Sequence, residues 1–209
     1  MNLEGTSRVE AFSDGVFAIA ITLLILEIHV PAPGEAGSLW AGLLGLWPSY
    51  LAFALSFFVI LVIWVNHHEL VRLVREINYP FLFANGLVLF TVTFVPFPTA
   101  VLAEHLVTPD AAAAVAFYCG TFVVYSLAWC LLLSAIVRGG LFRADVDEET
   151  VRRIRRAYAA GPLMYSVAAT VALIQPTVGL ALNASLWLLW IRLSYRAPAA
   201  RVEERYRNA

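Results

Sequence analysis

Charge is scarce in this sequence, and lysine is absent. Only 14% of the 209 residues are charged, whereas a soluble domain usually carries about 25%. All fourteen basic residues are arginine, and 61% of the chain is hydrophobic. A net charge of −1, without a basic patch outside the loops, excludes a nucleic-acid partner. The composition is typical of a polytopic membrane protein.

Cysteine is also scarce, and common catalytic motifs are missing. Cys119 and Cys130 lie eleven residues apart in one apolar run. On a helix that spacing is about three turns, too far for a disulfide, and no metal-ligand spacing surrounds the pair. The sequence contains no G-x-S-x-G, no H-E-x-x-H and no paired catalytic aspartates. It therefore predicts neither an enzyme nor a bound cofactor.

Six apolar stretches have the length, or nearly the length, of a membrane-crossing helix, which needs about 20 residues. They cover residues 9–30, 39–65, 79–103, 111–137, 157–174 and 177–195. Only two residues join the last two stretches, which predicts a tight helical hairpin. Pro48, Pro96 and Pro98 predict kinks or helix ends. The predicted fold is an all-α membrane protein with a single six-helix transmembrane domain over residues 1–209.

The arginines predict the direction of these helices. One precedes helix 1, two lie between helices 2 and 3, six lie between helices 4 and 5, and five lie at or after the end of helix 6. With both termini in the cytoplasm, every arginine is on the inside, as the positive-inside rule requires. The loops near Glu35, Glu104 and Gln175 are then external. The sequence predicts a multi-pass protein of the cell membrane.

Two polar segments leave alternatives open. The small residues of PAPGEAG, residues 31–37, suit a signal-peptide cleavage site, but Glu4, Glu10 and Asp14 favour a retained membrane helix. Acids from Asp147 onward, followed by arginines, suit the dipole of a cytoplasmic helix. That helix either lies at anionic lipid headgroups or forms a regulatory surface.

Helix 1 has two faces with different chemistry. At about 100° per residue, a mostly apolar stripe lies within about 60° of Ile19. Its other members are Arg8, Phe12, Gly15, Thr22, Leu23 and Leu26. Asp14 lies on nearly the opposite face, and Ser13 is also turned well away from the stripe. The second face therefore buries a carboxylate.

Asp14 needs polar partners, because a bare charge in hydrocarbon costs at least about 3 kcal/mol. The predicted topology brings candidates to the same depth, namely Trp64, Asn66, His67 and His68 from helix 2 and Asn85 from helix 3. Such a cluster either joins the helices or relays protons through Asp14 and the histidines. Metal binding by the histidines is disfavoured, because adjacent residues point in different directions on a helix.

Three segments resemble one known family in the same order. They are RVEAFSDG running into AIAITLL on helix 1, WVNHH on helix 2, and NGLVLF with VPFPTAVL on helix 3. The pattern R-x-x-x-F-S-D-G on a first membrane helix is similar to the signature of the bacterial homologues of the endolysosomal potassium channel, transmembrane protein 175. The resemblance extends over the six-helix chain, although its motifs lie in the first half.

The resemblance implies a homotetramer in the lipid bilayer, with helix 1 of each subunit lining a central pore for monovalent cations. By position after F-S-D, the pore constriction and gate would be Ile19, Leu23 and Leu26, with Thr22 as a hydroxyl layer. The residues that match the supporting polar network are Arg8, Ser13, Asp14, Trp64, His67, His68 and Asn85. The stripe found from helical periodicity contains the same three constriction residues.

The sequence therefore predicts a cation channel, modestly selective for potassium over sodium, that closes by dewetting of an apolar ring. The alternative is a proton-coupled secondary transporter or a proton pathway through Asp14, His67 and His68. A transporter usually has repeated halves, and no second F-S-D motif is present. A non-conducting scaffold is also compatible with the sequence.

Overall fold

The structure is a computed structural model that describes residues 3–34 and 37–194. Within these residues the regular structure consists of eight α-helices and one 3-10 turn, without a β-strand. The predicted all-α fold is therefore confirmed. Glu35, Tyr195 at the end of the predicted sixth helix, and the arginines from position 196 onward lie outside the described residues.

Helix α1 covers Leu3–Leu23 and continues as a 3-10 turn, Leu24–Glu27. It begins before the predicted start at residue 9, because polar residues extend the helix beyond its apolar run. It ends before the predicted end at residue 30. Ile28 is already extended. Pro31 disfavours helical backbone at the residue before it, which is the predicted end at residue 30.

The second predicted helix is two helices, α2 (Leu39–Gly45) and α3 (Trp47–Arg72). Pro48 stands in the first turn of α3, where its missing N–H costs no helical hydrogen bond. The Ser38 hydroxyl caps α2 by accepting from the Ala41 N–H at 3.2 Å. α3 runs seven residues beyond the predicted end at residue 65. The apolar run stops there, but the helix continues through polar side chains.

The third predicted helix is also divided, into α4 (Tyr79–Thr93) and α5 (Pro96–His105). Pro96 and Pro98 remove two N–H donors, so the helix breaks at the residues just before them. The Asn78 side chain begins α4 by accepting from the Phe81 N–H at 2.9 Å. The prolines therefore mark helix boundaries, as the sequence predicted.

The second half of the chain forms α6 (Ala111–Arg138), α7 (Glu148–Ala172) and α8 (Pro176–Ser194). α7 begins nine residues before the predicted start at residue 157. The Asp147 carboxylate caps it by accepting from the Thr150 N–H at 2.6 Å. The predicted polar cytoplasmic helix and the predicted fifth membrane helix are therefore one continuous helix.

Among the described residues, four helical segments are long and apolar enough to cross a membrane. They are Thr6–Glu27, Trp47–Arg72, Tyr79–His105 and Ala111–Arg138. These segments correspond to the first four predicted crossings. The apolar part of α8, Pro176–Ile191, is shorter, and the first half of α7 is highly charged. Crossings by α7 and α8 stay a prediction.

α6 lies at the centre of the helical bundle, and α4, α5, α7 and α8 pack against it. Its buried face includes Tyr118, Phe122 and Trp129. α7 and α8 approach closely at Gly179, where an added Cβ would lie 2.5 Å from the Ala172 Cβ. α1 packs against α3 and α4, so these three helices position the predicted site.

Candidate functional site

One face of α1 is buried against the bundle and the other is open. Ser13, Phe17 and Ala20 are buried toward α3 and α4, and Leu24 in the 3-10 turn that follows is buried toward α3 and α5. In the most apolar window of this span only 22% of the residues are buried, compared with 33%, 50% and 44% in the other three candidate spans. The first membrane helix therefore has the least cover within its own chain.

The buried face of α1 is joined to α3 and α4 through three polar side chains. The Asn85 amide donates to the Ser13 hydroxyl at 3.1 Å, and Asn85 Oδ1 lies 2.7 Å from His67 Nε2. Because the amide oxygen can only accept, Nε2 carries the proton and the imidazole donates. All three residues are buried, so this chain of hydrogen bonds joins α1, α4 and α3 in the apolar core.

The His67 ring is held by apolar neighbours as well as by Asn85. The Phe17 ring centroid lies 5.3 Å away, and the Trp129 indole meets the imidazole edge-on at 6.3 Å. Nδ1 of the imidazole has no hydrogen-bond partner within the described residues. His67 therefore functions in this structure as a packed, singly hydrogen-bonded donor.

Asp14 belongs to a second set of contacts, which joins α1 to α3 alone. The Trp64 indole N–H donates to Asp14 Oδ1 at 2.8 Å. One turn earlier on α1, Glu10 Oε1 lies 3.0 Å from His68 Nδ1, at the distance of an ion pair but without hydrogen-bond geometry. The predicted single cluster is thus divided, and Asp14 contacts neither histidine in these hydrogen bonds.

Arg8 is exposed and takes part in neither set of polar contacts, although it lies in a groove that Asn85 also lines. This open groove lies between α1 and α4 and is also lined by Phe12 and Leu82. No hydrogen bond or ion pair of Arg8 occurs within residues 3–34 and 37–194. A role for Arg8 in the polar network stays a prediction.

Glu10 and a buried hydroxyl cluster were not predicted as site residues. Glu10 precedes Asp14 by four residues on the same helix face, and this spacing is the sequence signal that could have identified it. Ser56 Oγ lies 2.6 Å from Thr99 Oγ1 and 3.1 Å from the Tyr118 hydroxyl, which joins α3, α5 and α6. Single hydroxyls inside apolar runs give no comparable sequence signal.

The two histidines face different helices. His67 contacts Asn85 on α4, whereas His68 lies beside Glu10 on α1. Within the part of the chain that the structure describes, no three His, Cys, Asp or Glu side chains come together in a group that could hold a metal ion.

The open face of α1 carries large apolar side chains in a line. Ile19, Leu23 and Leu26 are 60%, 43% and 67% exposed. Leu23 and Leu26 are brought into line by the 3-10 turn, in which side chains three residues apart eclipse. The Thr22 hydroxyl beside them donates to its own helix, with the Ala18 and Ile19 carbonyl oxygens both at 2.9 Å.

The family model of the endosomal/lysosomal potassium channel TMEM175 matches residues 8–96 of this chain. The matched segment extends from α1 to the beginning of α5. It includes both sets of polar contacts of α1 and the whole of the open apolar face. The part of the chain that carries the candidate site is therefore the part that the family model describes.

Two curated bacterial relatives match this chain over most of its length. A potassium channel from Chamaesiphon minutus is 49% identical over 166 residues, which are 78% of this chain and 82% of the relative. A potassium channel from Streptomyces collinus is 44% identical over 192 residues, 91% and 92% of the two chains. The human endosomal/lysosomal proton channel TMEM175 is 47% identical over 77 residues, which are only 15% of the human protein.

A solved structure matches the fold over nearly the whole chain. It is a lysosomal potassium-selective channel TMEM175 homolog from Chamaesiphon minutus, with a TM-score of 0.80 and 43% sequence identity. The match covers 92% of this chain and 98% of the other. Sequence and fold thus agree on a family of channels rather than of enzymes. This chain belongs to the TMEM175 family of ion channels.

Proposed function

We propose that the protein is a homotetrameric, potassium-selective channel of the cell membrane, in which four copies of α1 surround a central pore. The observation that carries this proposal is the line of exposed Ile19, Leu23 and Leu26 on the least buried candidate span. The two bacterial relatives that match most of the chain are named potassium channels, which supports potassium as the permeant ion.

The two flanks of the open face suit two different surroundings. One flank carries small residues, Ala11, Gly15 and Ala18, all of which are exposed. Small residues allow close approach of a neighbouring membrane helix. The other flank carries the large side chains. In the proposed tetramer the small flank packs against the adjacent subunit, and the large flank faces the axis.

Ile19, Leu23 and Leu26 form stacked apolar rings in this arrangement. At about 1.5 Å per residue in the α-helix, and somewhat more in the 3-10 turn, the rings extend over roughly 11 Å of the pore. An apolar ring that is too narrow for hydrated ions loses its water and closes the path. Slight outward rotation of α1 widens the ring and opens it.

Thr22 supplies an oxygen next to the narrowest part of the pore. Its hydroxyl hydrogen is directed to its own backbone carbonyls, so a lone pair of the oxygen stays available to an ion or a water. Four such oxygens do not replace a full hydration shell. Selectivity for potassium over sodium therefore depends on the ring width, and we expect it to be modest.

The polar contacts on the opposite face hold α1 in position. The hydrogen bonds from Asn85 to Ser13 and from Trp64 to Asp14 attach two consecutive residues of α1 to α4 and α3. Such polar pairs specify one orientation of α1, because rotation of the helix would leave the buried Asn85 amide and the half-buried Trp64 N–H unpaired. Asp14, near the start of the apolar run of α1, thus serves to orient the open apolar face of the helix toward the axis.

The proposed orientation has both termini inside and six crossings. The backbone N–H of Arg75 donates to the Leu141 carbonyl, and that of Arg143 to the Leu73 carbonyl, both at 2.9 Å. Two arginine-containing loops therefore meet at one end of the bundle. Glu10 near His68 brings the beginning of α1 to that same end.

Cysteine labelling tests this orientation. In a variant whose Cys119 and Cys130 are replaced by alanine, Glu104→Cys should react with a membrane-impermeant maleimide in intact cells. Arg153→Cys should react only after permeabilisation. Labelling of position 153 but not 104 in intact cells would indicate the opposite orientation, and labelling of both would contradict the proposed fourth crossing, which lies between these two positions.

The function itself is tested by reconstitution of the purified protein in planar bilayers. We expect current under a potassium gradient, a smaller one under an equal sodium gradient, and a tetrameric mass in native mass spectrometry. If the well-folded tetramer passes no cation current, the channel proposal is contradicted and a non-conducting scaffold is the remaining interpretation. Absence of the tetramer would contradict the central pore.

Proton conduction is the second candidate, because the human relative is named a proton channel. A side-chain relay that starts from Asp14 is not supported by its contact with Trp64, since an indole only donates. A proton path would then run through water in the open pore. Proton flux without potassium current in the same reconstitution would favour this candidate.

A further inference from the structure

A cavity of about 220 Å³ lies between α6 and α7, near the end of α6. Leu133, Val137 and Ala159 form apolar walls. Arg138 and Arg155 line the same cavity, one from each helix, and both are exposed. An apolar cleft with two guanidinium groups is thus placed where α6, a candidate membrane span, ends.

Both arginines are available to a ligand. No hydrogen bond or ion pair of either side chain occurs within residues 3–34 and 37–194. Asp145 and Glu148 are paired with other arginines, since Asp145 Oδ1 lies 3.2 Å from Arg143 and Glu148 Oε2 lies 3.5 Å from Arg152. Arg138 and Arg155 therefore bring two positive charges to the cavity.

The end of α6 is not a strong obstacle to an anion. Helix C-termini are partly negative because their last carbonyl groups lack partners. Here the carbonyl oxygens of residues 135, 136 and 137 accept from the N–H groups of Gly139, Leu141 and Gly140 at 3.0, 3.0 and 3.2 Å. Gly140, with a φ of 61°, makes the turn that allows this. The carbonyls beside Arg138 are therefore satisfied.

We propose that this cavity binds the phosphate of an anionic glycerophospholipid, with Arg138 and Arg155 holding the phosphate and the apolar walls receiving the beginning of an acyl chain. Guanidinium groups bind phosphate oxygens through paired, charge-assisted hydrogen bonds. The Ser134 hydroxyl, which also lines the cavity, is a further donor. A free anion would use the arginines but not the apolar walls.

The lipid site is independent of the pore. α1 packs on α3 and α4, whereas the cavity belongs to α6 and α7. It requires that α6 ends at a membrane surface, and not that α1 lines a channel. Loss of lipid binding with normal currents would contradict only this inference, and loss of currents with normal lipid binding would contradict only the proposed function.

The test uses the full-length protein in a neutral detergent. Phosphatidylglycerol, phosphatidylcholine or inorganic phosphate is added, and the melting temperature and the number of bound lipids in native mass spectrometry are measured. We expect phosphatidylglycerol alone to raise the melting temperature by several degrees. In the double variant Arg138→Gln/Arg155→Gln, the affinity of the protein for phosphatidylglycerol should fall about 30-fold. Each arginine at a membrane surface contributes about 1 kcal/mol to the binding of anionic lipid, and two are lost.

Two controls separate a site from general surface charge. Arg143→Gln/Arg152→Gln removes the same charge from outside the cavity and should retain the lipid-induced shift, measured against its own lipid-free protein. Ala159→Phe keeps both arginines but fills the cavity, and it should lose the shift. It also serves as the test if the double arginine variant does not fold.

Three results would overturn the lipid site. One is an equal loss of lipid binding in both double arginine variants, which would indicate only diffuse attraction. Another is normal binding by Ala159→Phe, which would place the lipid outside the cavity. The third is an equal shift from inorganic phosphate, which would identify a soluble anion as the ligand.

Discussion

Replacing Ile19 with asparagine should raise the cation current of the protein severalfold and bring its potassium and sodium permeabilities close together. In the proposed pore, four Ile19 side chains form one apolar ring. A polar ring holds water, so the dewetting barrier to ion passage is removed. Single-channel recording in planar bilayers, under equal potassium and sodium gradients, measures both effects.

Ile19→Ala should act in the same direction but less strongly, because it widens the ring without making it polar. It also distinguishes a pore from ordinary helix packing. In a sealed core, an Ile→Ala change costs about 2–5 kcal/mol through lost contacts and a cavity. Ile19 is 60% exposed in the single chain, so a residue that faces an open axis leaves no sealed cavity. The melting temperature of the tetramer should therefore change little.

Ile25→Ala is the matched control for these variants. Ile25 is 52% exposed, so its truncation also removes little packing within the chain. It precedes Leu26 in the 3-10 turn and points about 120° away from it around the axis. Currents that respond equally to Ile19→Ala and Ile25→Ala would contradict the pore assignment. So would dissociation of the tetramer by Ile19→Ala.

The helices could be located from the sequence because apolar length and prolines are local signals. The run that ends at residue 65 nevertheless predicted a helix end seven residues too early. α3 continues because His67 and His68 find partners on α4 and α1, so polar side chains there do not require a loop. Tertiary contacts of this kind are not visible in one helix alone.

The sequence predicted which face of α1 carries the polar side chains of the candidate site, but not which of them form hydrogen bonds with each other. Helical periodicity predicts that Ser13 and Asp14 point away from Ile19. The predicted depth in the membrane places Trp64, His67 and Asn85 at the same level as these two residues. Periodicity does not specify which atoms meet. Ser13 and Asp14 are separated by about 100° on the helix, enough to direct one to Asn85 and the other to Trp64. The network is therefore two separate attachments of α1.

The division of the network predicts that Asn85→Leu destabilises the protein more than Asp14→Ala. Asn85 is 3% exposed and contacts both Ser13 and His67, so its loss orphans two buried groups. Each unpaired buried group costs about 1–3 kcal/mol, which gives roughly 2–6 kcal/mol for Asn85→Leu. Asp14→Ala leaves the Trp64 N–H unpaired, and because that contact is only partly buried its loss should cost about 1 kcal/mol. Thermal unfolding in detergent measures both.

The same Asn-to-Leu substitution at position 183 should not destabilise the protein, in contrast to Asn85→Leu. Asn183 on α8 is fully buried, and within the described residues its side-chain oxygen and nitrogen have no hydrogen-bond partner. Replacing an unpaired buried amide with an apolar side chain of similar size removes a desolvation penalty, so stability should be unchanged or higher. If Asn85→Leu and Asn183→Leu shift the melting temperature equally, Asn85 does not hold α1 in place.

If Asp14→Ala lowers the melting temperature more than Asn85→Leu does, the contact between Asp14 and Trp64 is instead the main attachment of α1, the helix that we place at the pore.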